Sequence, residues 1–445
     1  MLLNFSVENF KSLRERANLD LTPSDAIRIN RSHISKDSSG AKALRGGIIC
    51  GSNAAGKSNV IKAISYAWQR ALNNPIKDGL NVPQFKYFEN SDIHNSRFEF
   101  EFSNNGKIYA YGFLLSRKSI IEEWLYLLEK NDSEHEIFTR KITDEKASIS
   151  FGEFVKLNKD EVELLSLVNK TVPKNKFFLY HSHTLDISEK ILKHIKNVAD
   201  WLENKLVVIY PDSTYLSFET DVIENPLARS FYLGVLKAFD TGITDIGITK
   251  WELDELPEAV SKKILTYIEK VEIESTMLIN INGSRYRIKV DDDKNIKDIH
   301  EMVFMSDQKP FKVSELSDGT KRLMDIVPAI YSAINEDISF FIDEIDRSLH
   351  SLVTKALMEI FFDKDLSVKG QVVVTTHETS LVDQNIMRRD AIWLVQKEHD
   401  FSTILYPLTE YKIRHDKKIS SDYLDGLFGG VISYSHAVKK IKGLL

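Results

Sequence analysis

Apolar and polar positions alternate along Met1–Phe10, then along Phe98-Glu99-Phe100-Glu101-Phe102 and Lys107–Leu115, the last two flanking Asn104-Asn105-Gly106. A period of two puts every second side chain on one face of a strand, and Asn-Gly supplies the left-handed residues of a tight turn. The pattern predicts an opening strand and a hairpin. Short unbroken apolar runs follow a different rule. Ile48-Ile49-Cys50 and Ile338–Ile342 are short apolar runs and Gln371–Thr376 is a β-branched one, and the run at 338–342 suits a strand buried in a parallel sheet. Helical periodicity marks Asn59–Trp68 and, within a stretch of changed character over 155–270, Asp186–Leu206, Asn225–Phe239 and Pro257–Ile273. From Glu274 alternation returns, with Thr276–Ile281 and Tyr286–Val290 around Asn282-Gly283 reading as a second hairpin, before a helical pattern over Leu323–Ile334. No sustained heptads run through the middle of the chain, so its helices are short and antiparallel rather than a coiled-coil arm. Neither an internal repeat nor a low-complexity segment is seen. The expected division is a head in two parts, 1–115 and 271–415, a mainly helical lobe inserted at 116–270, and a tail at 416–445.

The apolar runs end in residues that carry chemistry. Gly51-Ser52-Asn53-Ala54-Ala55-Gly56-Lys57-Ser58 fits G-x-x-x-x-G-K-[ST] between a strand and a helix, as a phosphate-binding loop must. Its glycines let backbone N–H groups converge on a β-phosphate, the helix adds the positive end of its dipole, Lys57 reaches the β/γ-phosphates, and Ser58 holds Mg²⁺. The expected nucleotide contacts are Asn53, Ala54, Ala55, Gly56, Lys57, Ser58 and Asn59. Asp343 and Glu344 close the run at 338–342 as a Walker B pair, Asp343 for Mg²⁺ and Glu344 to polarise the attacking water. The run at 371–376 delivers His377, whose imidazole can reach a γ-phosphate from the same edge. Leu316-Ser317-Asp318-Gly319-Thr320-Lys321-Arg322 opens a helix with a hydroxyl and bare amides, making Ser317 and Gly319 a second anion site. Each motif has an ordinary alternative when read alone: a Gly-rich turn with a solvated lysine, acids at a helix N-terminus, a structural histidine, a Ser N-cap. Their order along one chain points to a nucleotide.

Taken together, these motifs resemble the ABC-type ATPase heads of the SMC and RecF-like group, over roughly residues 1–115 and 270–415. Phe5–Ser12 is similar to that group's opening strand, Asp346-Arg347-Ser348-Leu349-His350 to its D-loop, and Gln84 in Val82-Pro83-Gln84-Phe85 to the glutamine that senses Mg²⁺. The fold implied is α/β: an ABC-type P-loop head, a mixed sheet with helices plus an antiparallel β subdomain, carrying an inserted helical lobe. Ala54 and Asp318 stand where glycine is usual, and Asp318 adds a negative charge near a phosphate. Phe341–His350, Leu316–Leu323 and Tyr423–Gly430 further resemble compact bacterial ATP-binding proteins related to overcoming-lysogenization-defect (OLD-like) nucleases but lacking the nuclease domain. That resemblance implies ATP and Mg²⁺ as cofactors and an ATP-driven homodimer or higher even oligomer in which Ser317 and Gly319 complete the partner's site. It also implies an anti-phage role beside a separately encoded nuclease or toxin. A RecF-like DNA-repair ATPase and a nucleotide-locked scaffold with little turnover are the alternatives.

Composition narrows this picture only a little. At 445 residues the chain is long for one simple domain, its single cysteine, Cys50, excludes an internal disulfide framework, and no apolar run approaches a membrane span. Without a signal-peptide core at Met1–Phe10, cytoplasm is the expected location. A net charge of −6 gives no broad basic surface for nucleic acid, so direct DNA contact rests on the short clusters Lys11–Arg16, Arg414–Lys418 and Lys439–Lys442, which read as solvated faces. His181 and His183 form an H-x-H pair with no nearby Cys or Glu pattern to complete a zinc site, and Asp291-Asp292-Asp293 reads as a turn.

Overall fold

The computed structural model describes residues 1–72, 82–86, 94–129, 133–143, 146–185, 188–213, 215, 217–269, 275–411, 419–424, 427–428 and 442. The ends of the expected helices at 186–187 and 270–273, the clusters at 414–418 and 439–441, and half of the 423–430 tail lie outside these residues. The chain separates into two compact units, the first made of 1–211, 333–346 and 358–445, the second of 212–332 and 347–357.

The first unit is built on two sheets. In the antiparallel sheet the strand order is Ala147–Phe151, Glu134–Ile142, Ile120–Leu128, Lys107–Leu115, Ser96–Asn104, Leu2–Glu8 and Ala17–Asp20. Asn105 and Gly106 take φ of 47° and 72°, so the Asn-Gly signal becomes a two-residue turn with Asn104 opposite Lys107. Alternation then does what the pattern requires. Phe98, Phe100 and Phe102 are fully buried, and Trp201 of the helix Glu189–Asn204 stacks on Phe102 with ring centroids 4.0 Å apart. Burying each such ring contributes about 1.5–3 kcal/mol.

The second sheet of this unit has the order Leu206–Ile209, Ser339–Ile342, Gln371–Thr376, Gly46–Gly51, Ile392–Lys397 and Thr403–Pro407, parallel throughout except for the last strand. The apolar runs 48–50 and 338–342 and the β-branched run 371–376 thus lie in its buried central strands. Gln371 joins the two sheets. Its fully buried amide accepts from Leu2 N–H at 2.6 Å and donates to the carbonyls of Leu2 at 3.0 Å and Leu44 at 2.8 Å.

In the second unit Asp245–Trp251, Ile296–Ser306, Ser284–Val290 and Ser275–Ile281 form an antiparallel sheet, with Lys309–Phe311 added at Ile296–Ser306. Asn282 and Gly283 turn its hairpin at φ 52° and 81°. The helix Glu258–Ile268 lays Val260, Ile264 and Ile268 into a core with Ile279, Ile281 and Ile288. Arg285 donates to the buried Glu219 at 2.8 Å, satisfying two charges that burial would otherwise make costly.

The segment 116–270 holds strands as well as the helices its pattern predicts. Its first part extends the antiparallel sheet by three strands, and Leu206–Ile209 enters the parallel sheet. Alternation failed as a guide there because polar residues point inward. The buried Glu123 accepts the backbone N–H groups of Phe178 at 2.6 Å and Leu179 at 3.0 Å, and the buried Arg140 donates to Asn169 at 2.8 Å. Helices do occupy 189–204, 226–238 and 258–268, and Lys159–Thr171 adds another, closed by an Asn158–Glu161 capping box. The expected boundary at 270 falls inside the second unit, because Asp245–Trp251 pairs along its whole length with Ile299–Met305.

Candidate nucleotide site

The loop 51–58 leaves the strand Gly46–Gly51, which lies between Gln371–Thr376 and Ile392–Lys397, and enters the helix Lys57–Leu72. Ala54 and Gly56 make its bends with φ of 61° and 113°. The alanine bears a left-handed cost of roughly 1–2 kcal/mol where related loops use glycine. Asn53 and Ala54 are exposed at the crest, Ala55 is buried, and Ser58 and Asn59 sit half-buried in the first helical turn. Lys57 is only 5 % exposed, and its Nζ donates to the carbonyls of Gly51 at 2.8 Å and Ser52 at 3.1 Å. The same Nζ lies 3.3 Å from His377 Nδ1; an ammonium only donates, so Nδ1 accepts and the neutral ring carries its proton on Nε2. Burial pulls the Lys57 pKa down, and the nearby carboxylates of Asp346, Glu344 and Asp343 oppose that shift. The Cys50 thiol itself is pushed up to about 12 by burial and stays protonated.

Asp343 follows the strand Ser339–Ile342, which is separated from Gly46–Gly51 by Gln371–Thr376, and is buried. Thr375 donates its hydroxyl to Asp343 Oδ1 at 2.6 Å and accepts the Glu344 backbone N–H at 2.8 Å, so one threonine fixes both acids. Glu344 is half-buried and left-handed at φ 48°, a conformation that swings its side chain out of the strand's alternation. The Asp346 carboxylate receives the His377 backbone N–H at 3.3 Å on both oxygens. Lys57, Asp343, Glu344, Asp346 and His377 therefore share the carboxyl end of one parallel sheet, where open α/β sheets bind ligands.

Gln84 donates to His94 O at 2.7 Å, while its Oε1 is buried and has no partner among the described residues. It lines a groove of about 340 Å³ with Lys11, Ser12, Asn59 and Phe401. An orphaned amide oxygen beside the phosphate loop fits a Mg²⁺ ion or its water. Among the described residues no group of three or more His, Cys, Asp or Glu could hold a metal by itself.

The signature lies in the second unit. Ser317 caps the helix Asp318–Asn335 by accepting the Thr320 N–H at 3.1 Å, and it is exposed, as is Asp318, whose carboxylate has Lys321 Nζ 3.6 Å away. A Cβ on Gly319 would fall 2.8 Å from the Ser348 carbonyl, so glycine is required where the helix start meets the D-loop. His183 Nδ1 lies 2.6 Å from Tyr180 O, and Asp291 closes its turn by accepting the Asp293 and Asn295 N–H groups at 3.0 and 2.8 Å. Thr375 escaped the sequence reading. Its only signal was a polar pair at the end of Val372-Val373-Val374, and its partners sit on the adjacent strand.

A phosphate loop, a Walker B strand and a histidine strand at one edge of a parallel sheet define a P-loop ATPase of the AAA/ABC type. The chain belongs to the family described as "AAA domain, putative AbiEii toxin, Type IV TA system", whose profile matches residues 48–173 and 236–383. No curated protein matches it in sequence. Among solved structures it is similar to an SMC head domain from Thermotoga maritima, at 12 % identity over 93 % of this chain and 99 % of that one, with a TM-score of 0.38. It is also similar to an SmcHead bound to the C-winged helix domain of ScpA, at 12 % identity over 91 % and 97 %, with a TM-score of 0.41. No helix among the described residues is long and apolar enough to cross a membrane.

Proposed function

We propose that the chain binds and hydrolyses Mg-ATP, closes head to head with a second copy when ATP is bound, and acts as the sensor and switch subunit of an anti-phage system whose effector is a separate nuclease or toxin. The observation that carries the hydrolytic part is the meeting of Lys57, Asp343, Glu344 and His377 at one sheet edge, tied by Thr375 and Asp346. Ser58, Asp343 and Gln84 would hold Mg²⁺, which neutralises phosphate charge when bound. Lys57 turns its ammonium from the loop carbonyls toward the β/γ-phosphates, His377 follows through its shared contact with Lys57, and Glu344 orients and polarises water. The exposed Ser317 and the half-buried Gly319 would face a second copy's γ-phosphate, so loss of that phosphate would release the pair.

The toxin system named in the family description supports the defence reading over DNA repair. Two cations of the basic stretch Lys11–Arg16 are also engaged, Arg14 with Asp400 at 2.5 Å and Arg16 with Glu99 at 3.1 Å. Lys321 beside Asp318 offsets the charge that would favour a locked scaffold over turnover. Glu344→Gln tests the assignment. It should bind ATP as the unchanged protein does and release phosphate about 10²–10⁴-fold more slowly, the loss expected for a missing general base. Turnover at the normal rate would return Glu344 to a purely structural turn. Co-purification with this variant in ATP, read by mass spectrometry and nucleic-acid staining, separates an effector protein from DNA.

A further inference from the structure

The phosphate loop is also held from a strand distant in sequence. Thr403 begins the antiparallel edge strand and is buried. Its Oγ1 lies 2.7 Å from the Ala55 carbonyl and 2.7 Å from Ser12 Oγ, while Asn59 Nδ2 lies 2.6 Å from the same Ser12 oxygen. These distances allow one assignment of protons. A carbonyl only accepts, so the Thr403 proton goes to Ala55; Thr403 Oγ1 then accepts from Ser12, whose oxygen accepts from the Asn59 amide. A relay runs Asn59 to Ser12 to Thr403 to Ala55.

The Ala55 carbonyl and the Gly56 N–H belong to one planar peptide, trans like every described peptide of the chain, so they point in opposite directions. Pinning the carbonyl against Thr403 sends the Gly56 N–H away from the edge strand. Gly56 has φ 113°, and a Cβ on it would fall 2.2 Å from Thr403 Oγ1, so the contact leaves no room for any side chain at that position. The strand that supplies Thr403 is itself anchored. Thr403 N–H donates to Ser12 O at 2.7 Å, and Asp400 in the preceding turn accepts Ser402 N–H at 2.9 Å and Ser402 Oγ–H at 2.6 Å.

We propose that Thr403 is a positioning residue for nucleotide binding, which acts through the Ala55–Gly56 peptide to aim the Gly56 N–H into the phosphate cradle. The inference rests on the nucleotide reading above. Its test uses the full chain and a fluorescent ATP analogue. Thr403→Val keeps the shape and removes the hydroxyl; it should weaken binding roughly tenfold, the scale of one hydrogen bond to a charged group. It should raise KM with little change in kcat, because the contact serves ground and transition states alike. Thr403→Ser should restore affinity, and the melting midpoint without nucleotide should stay near that of the unchanged protein for both. A structural role alone would instead lower the midpoint and leave KM in place, which would overturn the proposal. Unaltered affinity in Thr403→Val, with Lys57→Ala weakened about 10–100-fold in the same assay, would overturn this role and leave the nucleotide site standing. No binding by the unchanged chain would overturn both. Should Thr403→Val not fold, Thr403→Cys, a weaker donor of similar size, carries the same expectation, and normal affinity in it counts against the proposal.

Discussion

Lys57 sits where a cation is costly unless satisfied, and two loop carbonyls together with the His377 ring satisfy it. Since that ammonium is the main side-chain charge facing the phosphates, Lys57→Ala should lose about 10–100-fold in ATP affinity, measured by calorimetric titration, while its circular dichroism spectrum is retained. Unchanged affinity in the folded variant would remove the phosphate-loop assignment. Residues such as Lys57, Asp343 and Glu344 could be read from sequence because residue type and spacing alone suffice to name them. Thr375 and Thr403 could not, because what makes each matter is a partner on another strand: Asp343 for the first, Ala55 and Ser12 for the second. The left-handed turn at Glu344 was equally hidden, since a glutamate gives no conformational warning of φ 48°.

Among elements, those with a local cause were legible. Both Asn-Gly turns carry their φ signal in the sequence, and the central parallel strands announce themselves as short apolar or β-branched runs. Ile120–Leu128 and Glu134–Ile142 hid behind the inward-facing Glu123 and Arg140, and Leu206–Ile209 hid at the end of a helical pattern. The signature helix holds a further buried acid that follows no pattern. Asp325 is pushed up to about 6, chiefly by burial, while the Tyr215 N–H and Arg285 and Arg322 act the other way. A carboxyl raised in the fold favours its protonated form. Its contribution is therefore present in full below the unfolded value near 3.8 and is lost as pH rises through about 6. Asp325→Asn keeps an oxygen for the Tyr215 N–H, bound at 3.0 Å, and carries no charge to desolvate. Denaturant titrations should find the variant more stable at pH 7.5 by on the order of 1–3 kcal/mol, with the gain vanishing near pH 4. A constant difference across that range would mean that the acid is not the cause.

For the molecule as a whole, motif spacing located the nucleotide head, whereas the strand pairing between 245–251 and 299–305 is a long-range fact that no local pattern records. If two copies close on ATP through exposed Ser317, Ser317→Arg should bind ATP normally yet fail to form the closed pair, with light scattering showing the same mass with and without nucleotide. Normal ATP-dependent closure in that variant would end the trans role for Ser317. The Gln371 amide that joins Leu2 to the parallel sheet has a consequence for biosynthesis. The residues it connects are 369 apart, and Lys57 waits across 320 residues for His377. At about 5–20 residues per second on the ribosome, the antiparallel strands can pair as they emerge, whereas the phosphate loop spends tens of seconds without the strand that completes its edge. A chain made only as far as its antiparallel strands is then a scaffold with an unfinished phosphate loop, and that loop gains its histidine neighbour only once His377 has been made.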